Sequence, residues 1–212
     1  MFLISIFIQK MKLNIKKSVL MIDGKKQIGG TMYLSPRPKV EVIMDISLEV
    51  LRHTDAKKLY EFELENRDYF EKMVPSRGDD YYNWESFNTR HEDLLDELAK
   101  GLSYFYLIKN ENGVIVGRMN VVDIDKSRNL GYLGYRVGEA YTGIGIANKA
   151  LKLLLSIMKE EGIKQILAKT TTNNIASQKI LEKNGLKHIS TSDEEVKING
   201  QSLKFVNYQW TI

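Results

Sequence analysis

The 212-residue chain has no cysteine. That excludes disulfides, thiolate metal sites and a cysteine nucleophile, and it fits a reducing compartment. Histidine is scarce. His53, His91 and His188 are isolated from one another, no two of them form a ligand pair, and each reads as a surface or cap residue. No metal site is expected. Long hydrophobic runs are missing too. The opening "MFLISIFI" is eight residues long, whereas a membrane span needs about 20. It has no basic flank before it and no small-residue cleavage site, so neither a span nor a signal peptide is expected and the chain reads as cytoplasmic. Repeats and low-complexity tracts are absent as well.

What is present is ordinary globular composition, 43% apolar and 27% charged, in a length that supports one domain with a full core. The net charge of +4 is unevenly placed. Residues 1–43 set eight Lys/Arg against Asp23 and Glu41, a net of +6, so residues 44–212 carry −2. The basic excess therefore belongs to a leader, and the main domain does not read as a nucleic-acid binder. That leader, with "DGKKQIGGTMYLSPRPK", is rich in turn formers. It reads as extended or loosely packed, or as a basic arm for an acidic partner. Met11, Met21, Met32 and Met44 are each possible starts, and the domain is expected to occupy 44–212.

From 44 onward strand and helix patterns alternate. "ISLEVLR" reads as a strand and "HTDAKKLYEFELENRDYF" as a helix, followed by a loop "VPSRGDDYYN". A second helix, "NTRHEDLLDELAKG", is expected to be capped by Asn88 or Thr89 and closed by Gly101. A hairpin of "SYFYLIK" and "VIVGRMNVV" follows, then the strand "NLGYLGYRV". Ala147, Ala150, Leu151, Leu154, Leu155 and Met158 then define one continuous helical face. "KQILAKT" is a strand, "NNIASQKILEKNG" a short helix with an Asn cap and a Gly stop, and "LKFVNYQW" a closing strand. The order predicts one α/β domain with a mixed sheet.

The long helix opens on "TGIGIA". Glycine permits close approach or positive φ, and a helix N-terminus favours an anion. A Walker loop needs a lysine after its second glycine, and none follows Gly145. A dinucleotide fingerprint needs a third glycine and an acidic residue about 20 positions on. Asn148 stands at the glycine position, and residues 163–172 hold no Asp or Glu. The spacing leaves Gly143-x-Gly145-x-Ala147, either a pyrophosphate cradle or a tight strand-to-helix turn.

Strand "LGYRV", loop "YTGIGIA", long helix, strand, then "NIASQKILEKNGL" together resemble the GNAT superfamily of acetyl-CoA-dependent N-acetyltransferases. Within it they look most like the ribosomal-protein N-terminal (RimJ/RimL-like) branch. The match spans about residues 46–212 and is most specific over 129–188. The resemblance implies a GNAT-type fold, with a mostly antiparallel sheet splayed at the CoA site and flanked by helices. It implies acetyl-CoA as donor, with pantetheine along Tyr135, Arg136 and Val137. The pyrophosphate would lie on Thr142, Gly143, Ile144, Gly145, Ile146 and Ala147, and Asn174 would face the pantetheine arm. Many members place an acidic Tyr seven residues after that Asn, where this chain has Leu181. The ribosomal-protein branch instead places a Ser three after it, matched by Ser177, which otherwise reads as a helix-start residue bonding backbone.

The loop departs from the family in carrying no Gln or Arg before its first glycine, which leaves phosphate to backbone N–H and the Thr142 hydroxyl. The strand glutamate of many members is Tyr132 here. Glu194 or Glu195, in a late acidic turn, is the remaining base candidate, or else that turn is simply solvated charge. The acceptor is expected along "ENRDYFEKMVPSRGDDYYNWESF", where Tyr69, Tyr82 and Trp84 with many carboxylates suit a cationic amine, or where packed aromatics merely line an amphipathic helix. The expected reaction is acetyl transfer to a primary amine, a protein or peptide α-amine first, of a ribosomal or another protein, by direct attack in a ternary complex. A small-molecule amine acetyltransferase, or a CoA binder without turnover, are the rivals. Monomer and homodimer stay open.

Overall fold

The computed structural model describes residues 44–212 apart from Pro75 and Asn199. The expected basic leader, residues 1–43, lies outside the described residues.

Strand β1 (Ile46–Val50) leads through a 3-10 turn into α1 (Ala56–Glu65). The helix expected to continue to Phe70 breaks at Asn66, and α2 (Arg67–Met73) follows. The side chain of Asn66 explains the break. Its Nδ2 donates to Phe62 O at 2.8 Å, competing with the helical ladder. Its Oδ1 accepts from Glu139 N at 2.9 Å, so the break is stitched to a loop far along the chain.

Helix α3 (Trp84–Ala99) starts earlier than Asn88 or Thr89. Asn83 is its cap, accepting from Glu85 N and Ser86 N at 3.0 and 3.2 Å, while Thr89 Oγ donates to Glu85 O inside the first turns. His91 on this helix is buried, not a surface or cap residue. Its Nε2 meets Arg52 O at 3.0 Å and fastens α3 to the chain before α1.

Strands β2 (Tyr104–Asn110), β3 (Ile115–Asp125) and β4 (Leu130–Val137) form a meander, followed by α4 (Ile146–Glu160), β5 (Gln165–Thr171) and α5 (Ile175–Lys183). Two long strands, β6 (Lys187–Ile198) and β7 (Gln201–Thr211), close the chain around Gly200 at φ 76°. The late acidic "turn" is corrected: Asp193, Glu194 and Glu195 lie within β6. A register shift between Thr191 and Glu195 produces a bulge there, held by Ser192 Oγ, which accepts from Phe205 N and donates to Glu194 O, both at 2.9 Å.

The seven strands form one sheet in the order β1-β2-β3-β4-β5-β7-β6. Every neighbouring pair is antiparallel except β4–β5, which is parallel. Both faces of its centre are covered, so β2 is buried continuously from Phe105 to Ile108. Tyr106 and Ile108 face the core under α4 and α5, and Phe105 and Leu107 face the core under α1–α3. Helix α4 presents Ala150, Leu151, Leu154 and Met158, each fully buried, along the face its periodicity predicts. No helix among the described residues is long and apolar enough to cross a membrane.

Candidate active site

The parallel β4–β5 pair is short. It runs from Leu130↔Gln165 to Leu133↔Ala168 and stops, although β4 continues to Val137 and β5 to Thr171. The two strands part there into a wedge. On its other edge β4 stays paired, with Arg118 opposite Arg136 and Gly117 opposite Val137. Gly138 N–H bonds Val116 O at 2.9 Å. Antiparallel alternation then turns the N–H and C=O of Arg136 toward β3, and those of Tyr135 and Val137 into the wedge. Backbone donors on β4 are thus left open by topology.

A cavity of about 770 Å³ occupies the wedge and reaches both faces of the sheet. Tyr135, Arg136 and Val137 line one wall, and Asn174 and Ser177 another. Thr142, Gly143, Gly145, Ile146 and Ala147 close one end. Ile144 does not line it; its side chain is exposed.

The loop answers which property of glycine is needed. Gly143 and Gly145 sit at φ 74° and 85°, and a Cβ on either would meet no heavy atom within 4 Å. The left-handed backbone, not crowding by protein, demands glycine. Gly145 is the N-cap of α4, with no side chain to satisfy the first turn. The first intrahelical bond is Lys149 N to Gly145 O, so the N–H groups of Ile146, Ala147 and Asn148 precede it and are open at the cavity end. The Thr142 hydroxyl, by contrast, donates to Glu139 O at 2.9 Å, so its proton is used within the turn rather than offered to an anion. Cationic help comes from elsewhere: Lys149 pairs with Asp45 at 2.7 Å, while Lys179 and Lys183 of α5 line the cavity.

Asn174 caps α5, its Oδ1 accepting from Ser177 N at 3.1 Å, which leaves its NH₂ as the available donor. Ser177 is more than a helix-start residue. Its Oγ lies 2.9 Å from the Tyr135 hydroxyl. Burial raises the Tyr135 pKa above the ordinary tyrosine value, against a smaller opposing effect of the Ser177 bond. Leu181 is buried at the cavity wall and offers no proton.

The other expected residues scatter. Tyr69 lines the cavity. Tyr82 is buried behind it, its ring under the Arg67 guanidinium at 4.3 Å and its carbonyl accepting from Tyr60 OH. Trp84 is half exposed, edge-on to Tyr60 at 5.3 Å, and is not part of the lining. Glu194 and Glu195 are exposed on β6 and outside the lining, Glu195 accepting from Ser202 Oγ. Nor does the α1–α3 side present carboxylates to the cavity, as the acidic composition of residues 65–87 suggests. It presents Arg77, Arg118 and Arg136. Arg77, Arg118, Asn120 and the Tyr135 side chain are the residues the sequence reading missed, and Arg136, expected for its backbone, also turns its side chain to this face. A signal existed for two of them, because Arg118 and Asn120 interrupt the apolar strand "VIVGRMNVV". Among the described residues no cluster of three or more His, Asp or Glu could hold a metal ion.

Residues 45–187 match the family model described as an acetyltransferase (GNAT) domain. The chain belongs to the GNAT acetyltransferase family. It is 29% identical over 158 residues to the probable N-acetyltransferase YjcK of Bacillus subtilis, covering 73% of this chain and 87% of that protein. It is 26% identical over 174 residues to the [ribosomal protein uS5]-alanine N-acetyltransferase of Escherichia coli, covering 80% and 89%. The fold is also that of RimL, a ribosomal L7/L12 α-N-protein acetyltransferase solved in complex with coenzyme A, at a TM-score of 0.72 and 20% identity over 79% of this chain and 94% of that one. The wedge and glycine loop thus belong to a GNAT N-acetyltransferase.

Proposed function

We propose that this enzyme transfers the acetyl group of acetyl-CoA to the α-amine of a protein or peptide N-terminus. The observation that carries the reading is the wedge between β4 and β5, open to both faces of the sheet beside the glycine-started N-terminus of α4. Coenzyme A bound in the RimL neighbour, and the alanine N-acetyltransferase named among the relatives, support it.

The residues fit such a donor. The open N–H groups of Ile146, Ala147 and Asn148 and the dipole of α4 would hold a diphosphate, with Lys179 and Lys183 adding charge. The N–H groups of Tyr135 and Val137 would bond the pantetheine amides and polarise the thioester carbonyl. Acetyl-CoA supplies an activated acyl carbon. The acceptor amine attacks it from the α1–α3 side, the C–N bond forms and the C–S bond breaks. Ser177 Oγ gives its proton to the departing sulfur and recovers one from the Tyr135 hydroxyl, which solvent replenishes. The proton shed by the amine goes to water, so the sum is amide plus free thiol. Tyr135, with its raised pKa, stays protonated at neutral pH as this role requires.

The lack of a free carboxylate among the described residues lining the cavity also favours an α-amine. Glu182 is the one carboxylate among the described residues lining the cavity, and it accepts from Tyr208 OH at 3.0 Å. An α-amine of pKa about 7.7–8.0 is about a quarter to two-fifths neutral at pH 7.5, while a lysine amine of about 10.4 is neutral to about one part in a thousand. An enzyme without a strong base gains far more from the first. Incubation with acetyl-CoA and peptides carrying both a free N-terminus and an internal lysine, read by thiol release and fragmentation mass spectrometry, tests this. The expected acetyl position is the α-nitrogen. Acetyl groups confined to lysine side chains or small polyamines refute it.

A further inference from the structure

The α1–α3 side of the cavity is cationic, and its charge is only partly cancelled. Glu63 of α1 is fully buried between two arginines, Oε1 at 2.8 Å from Arg118 Nε and Oε2 at 3.0 Å from Arg136 NH1. Burial works against the Arg118 charge, but Glu63 and the neighbouring tyrosines outweigh it and keep its pKa above the ordinary arginine value. One carboxylate thus serves two guanidiniums. Arg77, from the loop after α2, adds a third. It stacks on the Tyr81 ring at 4.6 Å and forms no ion pair among the described residues. It lines the cavity with over a third of its surface exposed, while protein surrounds much of its guanidinium. Desolvation and then the like charge of Arg118 lower its pKa to about 10, so it remains a cation at neutral pH.

The acidic residues that dominate this stretch of sequence do not offset the cluster. Arg67 pairs with Glu71 and Asp79 at 3.2 and 2.5 Å, and neither Asp68 nor Asp80 lines the cavity. A partly desolvated excess of two positive charges beside an acceptor channel is a site for an anion.

Within the acetyl-transfer reading, on which this rests, we propose that the acceptor brings a carboxylate to Arg77 and the Arg118–Arg136 pair. The enzyme then selects N-termini whose second or third residue is Asp or Glu. The register supports the spacing. Asn120 stands opposite Gly134, next to the Tyr135 amide, and Arg118 opposite Arg136, next to the Val137 amide, so the spacing holds for a thioester polarised by the Tyr135 N–H. Two residues along β3 are about 7 Å. That matches the reach from an α-amine to a carboxylate one residue on.

Matched peptides beginning Ser-Asp, Ser-Asn and Ser-Lys, compared with free aspartate, test the proposal by kcat/KM for CoA release. The Asp peptide is expected to exceed the Asn peptide by about tenfold or more and the Lys peptide by more still. Arg77→Ala should flatten that order and Arg77→Glu should turn it toward the Lys peptide, with calorimetric acetyl-CoA binding as the check on folding. Equal turnover of Asp and Asn peptides overturns the proposal while leaving acetyl transfer intact. So does an Asp preference that survives Arg77→Glu, or free aspartate outperforming every peptide. Acetyl-CoA binding without transfer to any amine overturns the acetyl-transfer reading itself.

Discussion

Glu63→Gln isolates the electrostatic keystone of the α1–α3 side of the cavity. In the native protein its carboxylate is fully buried and touches two guanidiniums whose side chains are 8% and 14% exposed. The amide keeps the shape but removes the charge, and one of its oxygens becomes an NH₂ aimed at an arginine. Two cations then face one another with little water to screen them. Breaking a buried ion pair from one side costs about 3–5 kcal/mol, a large share of an ordinary domain stability of about 5–15 kcal/mol. At about 2–4 °C per kcal/mol for a domain of this size, the melting temperature should fall by about 6–20 °C. Thermal unfolding followed by circular dichroism reads this directly. Adding Arg118→Met should recover part of the loss, with a coupling of about 1 kcal/mol or more, because a neutral side chain removes the repulsion created by the first change. A Glu63→Gln protein melting within about 2 °C of wild type would refute the claim that Arg118 and Arg136 depend on this carboxylate.

The donor side gives three further expectations. Gly145→Val forces a β-branched residue to φ 85°; acetyl-CoA KM should rise about tenfold or more as the α4 amides shift, and an unchanged KM removes the loop from donor binding. Ser177→Ala and Tyr135→Phe should each lower kcat about 100-fold, and the double variant little further, since their hydroxyls act as one pair; additive losses would mean they act separately. With an α-amine peptide, kcat/KM should climb from pH 6 to about 8 as the amine loses its proton. Deprotonation of Tyr135 would lower the rate on the alkaline side, but its raised pKa postpones that decline beyond about 10; a fall beginning near pH 8.5 would exclude Tyr135 as the donor. Finally, because Met44 and Ile46 pack against the main core, a chain starting at Met44 should be folded and active; an insoluble product would show that residues 1–43 are needed.

The α4 and α5 side of the cavity, proposed for the donor, was legible because its signals are local. A 3.6-residue apolar period survives in any context, and it located the buried face of α4 to within one residue: Ile146, not Ala147, is the first buried position. Glycine at positive φ is a backbone requirement, so Gly143 and Gly145 announced the loop without knowledge of its neighbours. Asn174 announced a cap for the same reason. Less was visible where one local pattern serves two structures. Ser192-Asp193-Glu194-Glu195 has the composition of a turn, and a bulge on an exposed edge strand uses the same residues for the same backbone-bonding capacity.

The α1–α3 face of the cavity was misread because polarity is a tertiary property. Counting charges over residues 65–87 gives an acidic segment, but Arg67 engages two of its carboxylates, and the cations that reach the cavity include two from strands β3 and β4. Arg118 alternates with Met119, which faces the opposite core. In the sequence it is one charged residue inside an apolar run, and nothing near it identifies its partner. Glu63 sits on α1, where the helical pattern reads it as one more solvent-facing acid. Only the packing of α1 across the β3–β4 pair brings the three groups together. It also leaves Arg77, on the same face, without an ion-pair partner among the described residues. The charge on this face of the cavity is therefore set by which side chains the sheet turns inward, and it has the opposite sign from the segment that surrounds it.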